Sequence, residues 1–294
     1  MAKHARRAFQ SEAMKEVATV LDKLSCRYSR WEIWQDFVTM AAISIANTVN
    51  SPAREGREQM YLDRAKKYRK EELDALASML AAVVVGMEEN PEQDFLGEMY
   101  MGLDLGNDAA GQFFTPYHVC HLMAEVTAED NLAERVEKEG WISVNDPCCG
   151  GGALLLAFAN VCQKRGLNFQ TSVLFAAQDI DFTVAMMCYI QLSLMGCAGY
   201  VKIGNSLTDP LTCYDSKGLL PAGGDSIWYT PMYCRDIWHY RRLWAQLDMV
   251  VRPLAVAPDA TPSGVAAPGS AIATPITPEA PDLRVGKGGQ LTLF

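Results

Sequence analysis

The stretch "VNDPCCGGG", residues 144 to 152, sets an aspartate, a proline and three consecutive glycines after an apolar run and before a helical one. Glycines at the carboxyl end of a strand let a ligand approach the backbone closely. Asp146 favours a cationic ligand over an anionic one, and neither the Lys-Ser/Thr of a phosphate loop nor a GxGxxG spacing is present. Further on, "AAQDID" ends a second apolar run with Asp179 and Asp181, where a carboxylate can accept both hydroxyls of a ribose. "GNSL" ends a third with Asn205, whose amide both donates and accepts and so could read an adenine edge. Each alone is equally well a structural loop or a helix cap. Three at successive strand ends suggest a nucleoside-bearing cofactor.

A fourth stretch, "IWYTPMYCRDIWHYRR" at 227 to 242, runs a short strand into Thr230, Pro231, Met232 and Tyr233. Arg235, His239, Arg241 and Arg242 follow, interleaved with Trp238, Tyr240 and Trp244, a mixture suited to phosphates and bases.

These residues need a scaffold. Residues 1 to 105 read as a helical domain, with apolar residues at helical spacing in "AMKEVATVLDKL", "WEIWQDFVTMAAISIANTV" and "ELDALASMLAAVVVGM". From 106 to 250 short apolar runs alternate with helical ones: "WISVN", "ALLLAFANVCQKRG", "SVLFAAQD", "TVAMMCYIQLSLMG" and "GYVKI". That alternation implies β-α-β crossovers and an open, Rossmann-like α/β sheet, with ligands at the carboxyl ends of its strands. Residues 251 to 289 hold half of the 14 prolines and read as a disordered linker, ending in a short apolar segment at 290 to 294.

Composition narrows the partners. A net charge of −9 argues against coating nucleic acid by overall electrostatics and leaves only local basic patches. Nine irregularly placed cysteines without a CxxC pair suit a reducing compartment and free thiols rather than a disulfide framework or a zinc site. No apolar run reaches the roughly 20 residues of a spanning helix and no secretory leader is visible, so a cytoplasmic protein without a membrane partner is expected.

"DFLGEMYMGLDLGNDAAGQFFTP", followed by "DPCCGGGALLLAFA", "AQDID" and "GNSL", resembles the N6-adenine DNA methyltransferases, close to the modification subunits of type I restriction systems and their short phage-like relatives. The resemblance covers residues 95 to 235. It implies S-adenosylmethionine as cofactor. Gln112, Phe113, Phe114, Thr115 and Pro116 match the segment that contacts its methionine part, and Asp146 and Gly150 the loop at its amino-acid end and sulfonium. Asp179 matches the ribose acid, and Asn205 falls where the family has an adenine-reading aspartate.

In that family an Asn/Asp-Pro-Pro-Tyr/Phe tetrapeptide at the end of the fourth strand holds the target amine, and its ring stacks on the flipped base. Here Thr230, Pro231, Met232 and Tyr233 take the place, so catalysis would fall to Thr230, Pro231 and Tyr233. A threonine hydroxyl aligns an amine less firmly than an amide, a loss of about 10²-fold in rate. Only about 15 residues of expected folded chain follow Tyr233, so the protein is expected to methylate with little sequence preference, to read a very short site, or to need a separate specificity subunit, with Arg235, His239, Arg241 and Arg242 as candidate DNA contacts. Gln290, Leu291, Leu293 and Phe294 resemble the sliding-clamp binding motif of bacterial replication proteins; a terminal strand paired with the body is the other reading of the same residues. The expectation is a clamp-tethered DNA adenine-N6 methyltransferase. The alternatives are a weak or inactive clamp-bound adaptor of the same fold, and a protein-glutamine methyltransferase.

Overall fold

The computed structural model describes residues 9, 11–49, 51–105 and 114–251 and the backbone of 252–255 and 290–292. Five helices come first: α1 (Glu12–Leu24), α2 (Arg30–Ala46), α3 (Arg54–Ala65), α4 (Lys70–Glu89) and α5 (Phe95–Gly102). Ser29 starts α2 by accepting the Glu32 N–H at 3.1 Å. α2 is apolar around most of its circumference because it is covered on one side by α1 and on another by a sheet helix, α10 (Phe182–Leu194). The helices therefore share a core with one side of the sheet: Trp34, Ile43 and Tyr100 of the helices and Phe158, Tyr189 and Val201 of the sheet region belong to one buried cluster. Among the described residues no helix is long and apolar enough to cross a membrane.

After α6 (Tyr117–Thr127) and α7 (Leu132–Glu139) come three parallel strands, β1 (Ile142–Asp146), β2 (Val173–Asp179) and β3 (Ala198–Ile203). The crossovers are α8 (Ala153–Lys164) with the short α9 (Phe169–Ser172), and then α10. This is the α/β architecture expected from the alternation of apolar runs. The strands read as near-continuous apolar runs because both faces are covered: β2 is buried over its first six residues.

The rest of the sheet departs from expectation. A small hairpin, β4 (Thr212–Cys213) and β5 (Pro221–Ala222), leads to β6 (Ile227–Tyr229), which pairs antiparallel with β3, Lys202 opposite Ile227 and Tyr200 opposite Tyr229. The strand order is β6-β3-β2-β1-β7, where β7 (Gln290–Thr292) lies parallel to β1. Gln290 and Leu291 are thus in a strand on the body of the protein, not on a free tail; Leu293 and Phe294 lie outside the described residues. The linker boundary also moves, because α11 (Asp236–Ala255) continues past 250 as Leu247, Val250 and Val251 extend its helical spacing. Residues 256–289 lie outside the described residues.

Candidate cofactor-binding and catalytic site

β1, β2 and β3 end side by side, so Asp146, Asp179 and the turn at Gly204 and Asn205 meet at one edge of the sheet. Asp179 Oδ2 accepts the Gly150 N–H at 2.9 Å, and Asp179 Oδ1 accepts the Asp181 N–H at 3.0 Å. Asp181 itself caps α10 through the Val184 N–H. The turn needs its glycines. Gly150 (φ 54°) and Gly152 (φ 95°) are left-handed, and a Cβ on Gly152 would come 2.9 Å from Cys188 Sγ.

Asp146 is 2 % exposed, and its Oδ1 accepts the Cys148 N–H at 3.1 Å. Burial pushes its carboxyl up to about 6; the Cys148 N–H opposes this and the neighbouring Asp179 adds to it. Burial likewise raises Asp179 above the usual carboxylate range. Among the described residues neither acid has a cationic partner, so two desolvated carboxylates flank a side-chain-free turn. That arrangement suits a positively charged ligand.

Phe114 lies beside the turn, with its ring 3.6 Å from where a Gly150 Cβ would be, and stacks on buried Tyr100 (5.4 Å between centroids, 17°). Thr115 and Pro116 are exposed at the start of α6; Gln112 and Phe113 lie outside the described residues. Asn205 is at the expected strand end, but its Oδ1 accepts the Leu207 N–H at 2.9 Å and the Thr208 N–H at 3.4 Å. Its oxygen shapes its own turn, and only its amide donors remain to read a base.

Three further residues hold this edge together. Asp94 caps α5 through the Gly97 N–H (2.9 Å) and accepts Gln191 Nε2 at 2.7 Å. Gln191 also donates to Gly151 O (2.8 Å) and accepts the Leu96 N–H (3.0 Å), so one fully buried amide fastens the helical region to the glycine turn. Gln178 does the same for the third strand end, donating to Gly204 O and Asp209 O and accepting the Leu211 N–H. An aspartate before the helix "FLGEMYMG" signals the first of these; nothing in the sequence marks the two glutamines.

The family comparison rests on residues 91–249, which match the N-6 DNA Methylase family over more than half of the chain. The chain belongs to the N-6 DNA methylase family. As a family member it is an S-adenosylmethionine-dependent methyltransferase, and the paired carboxylates beside the glycine turn fit that cofactor's sulfonium and ammonium charges. Two solved structures are similar to this family member. One is a Listeria monocytogenes protein assigned to the class I S-adenosylmethionine-dependent methyltransferases (15 % identity, TM-score 0.36, 74 % of this chain and 67 % of that one). The other is the type I restriction-modification methyltransferase subunit of Streptococcus thermophilus (14 % identity, TM-score 0.34, 69 % of this chain and 60 % of that one). No curated protein matches the sequence.

The tetrapeptide at 230 to 233 is not at this edge. Because β6 runs antiparallel, its carboxyl end lies beside the start of β3, roughly 15 Å along the strand from Gly204. A parallel neighbour needs a crossover, usually a helix, and residues 204–226 contain turns and the β4–β5 hairpin instead. Thr230 is fully buried: its Oγ1 donates to Cys197 O (2.7 Å) and accepts the N–H groups of Gly199 (3.0 Å) and Tyr233 (3.4 Å). Pro231 opens the 3-10 turn Met232–Cys234. Tyr233 is 4 % exposed, donates its hydroxyl to Leu219 O at 2.6 Å, and has its ring stacked on Tyr229 (5.0 Å, 16°) and against the Arg242 guanidinium. In this arrangement Thr230 and Tyr233 hold the fold, and neither is free to take an adenine.

The basic residues from 235 to 242 divide. Arg235 and His239 are exposed. Arg241 lies over Trp238 (4.4 Å) and donates to Thr171 O (2.6 Å) and Gly140 O (3.0 Å), and burial lowers its pKa to about 10. Arg242 lies over Tyr233 and donates to its carbonyl. The two inner arginines dock α11 on the body instead of facing solvent, because aromatic faces and free carbonyls lie within reach of their long stems.

Proposed function

We propose that this protein is an S-adenosylmethionine-dependent DNA methyltransferase acting on adenine N6. The observation that carries the reading is the meeting of Asp146, the Gly150 turn and Asp179 at one sheet edge, inside the segment that matches the N-6 DNA methylases. Asp146 and Gly150 would take the charged amino-acid end of the cofactor, Phe114 its methionine part, and Asp179 the ribose hydroxyls. The cofactor supplies a methyl group on a positively charged sulfur. The chain's own part is to hold that sulfur dry against Asp146, whose charge balances it until transfer, and to fix the sugar from Asp179. Target choice is assigned to a separate specificity subunit, with the exposed Arg235, just before α11, and His239 on α11 as the basic residues on the DNA side.

A second reading has its own support. Thr230 and Tyr233 are fully engaged at the other end of β3, which favours a cofactor-binding member with weak or no transfer by itself. Recruitment to the sliding clamp through 290 to 294 would require Gln290–Thr292 to leave β1. One experiment separates the readings: the protein is given labelled S-adenosylmethionine and adenine-containing DNA, single- and double-stranded. Label in N6-methyladenine, lost in Asp179→Ala, supports the enzyme. Saturable cofactor binding with no transfer to either strand state supports the adaptor.

A further inference from the structure

Arg57 of α3 is 6 % exposed, although a guanidinium is always charged at neutral pH. Its one hydrogen bond runs from Nη2 to Ile227 O at 3.1 Å, and its guanidinium carbon lies 4.1 Å above the Trp228 ring. Among the described residues no carboxylate comes within ion-pair distance; Asp225 acts on it only through its field. Burial lowers its pKa, which records the cost of keeping a charge out of water without a counterion. With one hydrogen bond among the described residues for its five N–H donors, Arg57 has donors left for an anion that reaches it.

The space in front of Arg57 is a cavity of about 610 Å³ between α3, β5 and α11. It is lined mainly by apolar atoms, including the stacked rings of Tyr229 and Tyr233, Tyr214 and Met249, with Arg242 as its second cation. Its volume lies within the usual range for small-molecule sites, about 300–1,000 Å³. The faces of the Tyr233 ring are taken by Tyr229 and Arg242, so a planar body would pack on the exposed Tyr214 ring and the apolar wall, and the two guanidinium groups select a negative group on it. The cavity is at the β6 end of the sheet, away from Asp146 and Asp179.

We propose that this cavity is a second binding site, for a small planar aromatic molecule that carries one anionic group, its carboxylate or phosphate pairing with Arg57. The ligand binds independently of the cofactor and takes no part in methyl transfer.

Titration calorimetry on the full chain, saturated with S-adenosylmethionine, tests this with two matched pairs of probes: thymidine 5′-monophosphate against thymidine, and indole-3-acetate against indole. At least one anion should bind tenfold or more tightly than its neutral counterpart, and the pair that responds identifies phosphate or carboxylate as the group. Arg57→Gln should erase that preference and Arg57→Lys keep part of it. Met249→Trp, at a half-exposed lining position, should weaken the anion without changing cofactor affinity. Should Arg57→Gln fail to fold, Met249→Trp decides alone. Equal binding of charged and neutral probes, no saturation by about 10 mM, competition with the cofactor, or unchanged binding in Met249→Trp would each overturn the proposal.

Discussion

Asp179 and Gly150 are joined by a 2.9 Å hydrogen bond, so the tip of the second strand fixes the glycine turn that follows the first. The acid proposed for the ribose therefore also shapes the glycine turn proposed for the other end of the cofactor. Asp179→Ala should lower S-adenosylmethionine affinity by at least about 10-fold through both losses. Asp179→Asn keeps an oxygen for the Gly150 N–H and should fall between the two. Equilibrium binding on the three proteins checks the order; equal affinities would refute it.

Asp146 gives a pH dependence with a definite sign. Its carboxyl is raised from 3.8 to about 6, so the folded chain holds this proton more tightly than the unfolded chain. The contribution to stability is complete below about 3.8 and is lost as the pH rises to 6 and beyond. Asp146→Asn should therefore stabilise the cofactor-free protein at pH 7, by about 1–2 kcal/mol. It should also weaken cofactor binding and flatten the rise in affinity expected of the unaltered protein between pH 5 and pH 7. Thermal melts and binding isotherms at both pH values read the two effects separately.

Gly152→Ala meets both a left-handed backbone and the Cys188 sulfur. The expected loss is about 2–4 kcal/mol, seen as a lower urea midpoint. The paired variant Gly152→Ala/Cys188→Ala should recover the steric part alone.

Thr230 separates a catalytic from a structural role. Thr230→Val removes the hydroxyl that satisfies Gly199 N and Cys197 O and should cost about 1–3 kcal/mol, with cofactor affinity unchanged. Thr230→Asn adds bulk at a fully buried position and should destabilise the protein without raising methyl transfer. A gain of activity in Thr230→Asn would return the tetrapeptide to the chemistry.

On α11, Arg241→Ala should lower the melting temperature, because it loses contacts to Trp238, Thr171 and Gly140. Arg235→Ala should leave stability within about 0.5 kcal/mol and weaken DNA binding. Melting curves and DNA titrations at one salt concentration distinguish the two arginines.

Much of the candidate cofactor edge was legible in the sequence as a place where residues meet, because its signals are local. An aspartate and glycines follow one apolar run and an acid ends the next, and the pleat and the crossover helices do the rest. The helices of the first hundred residues were legible for the same reason, through the spacing of their apolar residues. The direction of β6 was not. "IWY" has the same letters in either orientation, and the deciding fact is that "TDPLTCYDSKGLLPAGGDS" forms turns where a crossover helix was needed. The pairing of residues 290–292 with β1 was one of two readings, since three alternating residues fit a strand as well as a linear motif. Side-chain ties across the chain, such as Gln191 to residues 94, 96 and 151, leave no local trace.

That last tie bears on how such a chain can be altered by recombination. Gln191 reaches Asp94 and Leu96 on one side and Gly151 on the other, so a junction placed at the change of composition near residue 105 would separate partners that depend on each other. A helical region exchanged with that of a relative would have to bring an acid at the position of Asp94 or cost the buried Gln191 amide one of its partners. The helices and the glycine turn are inherited together.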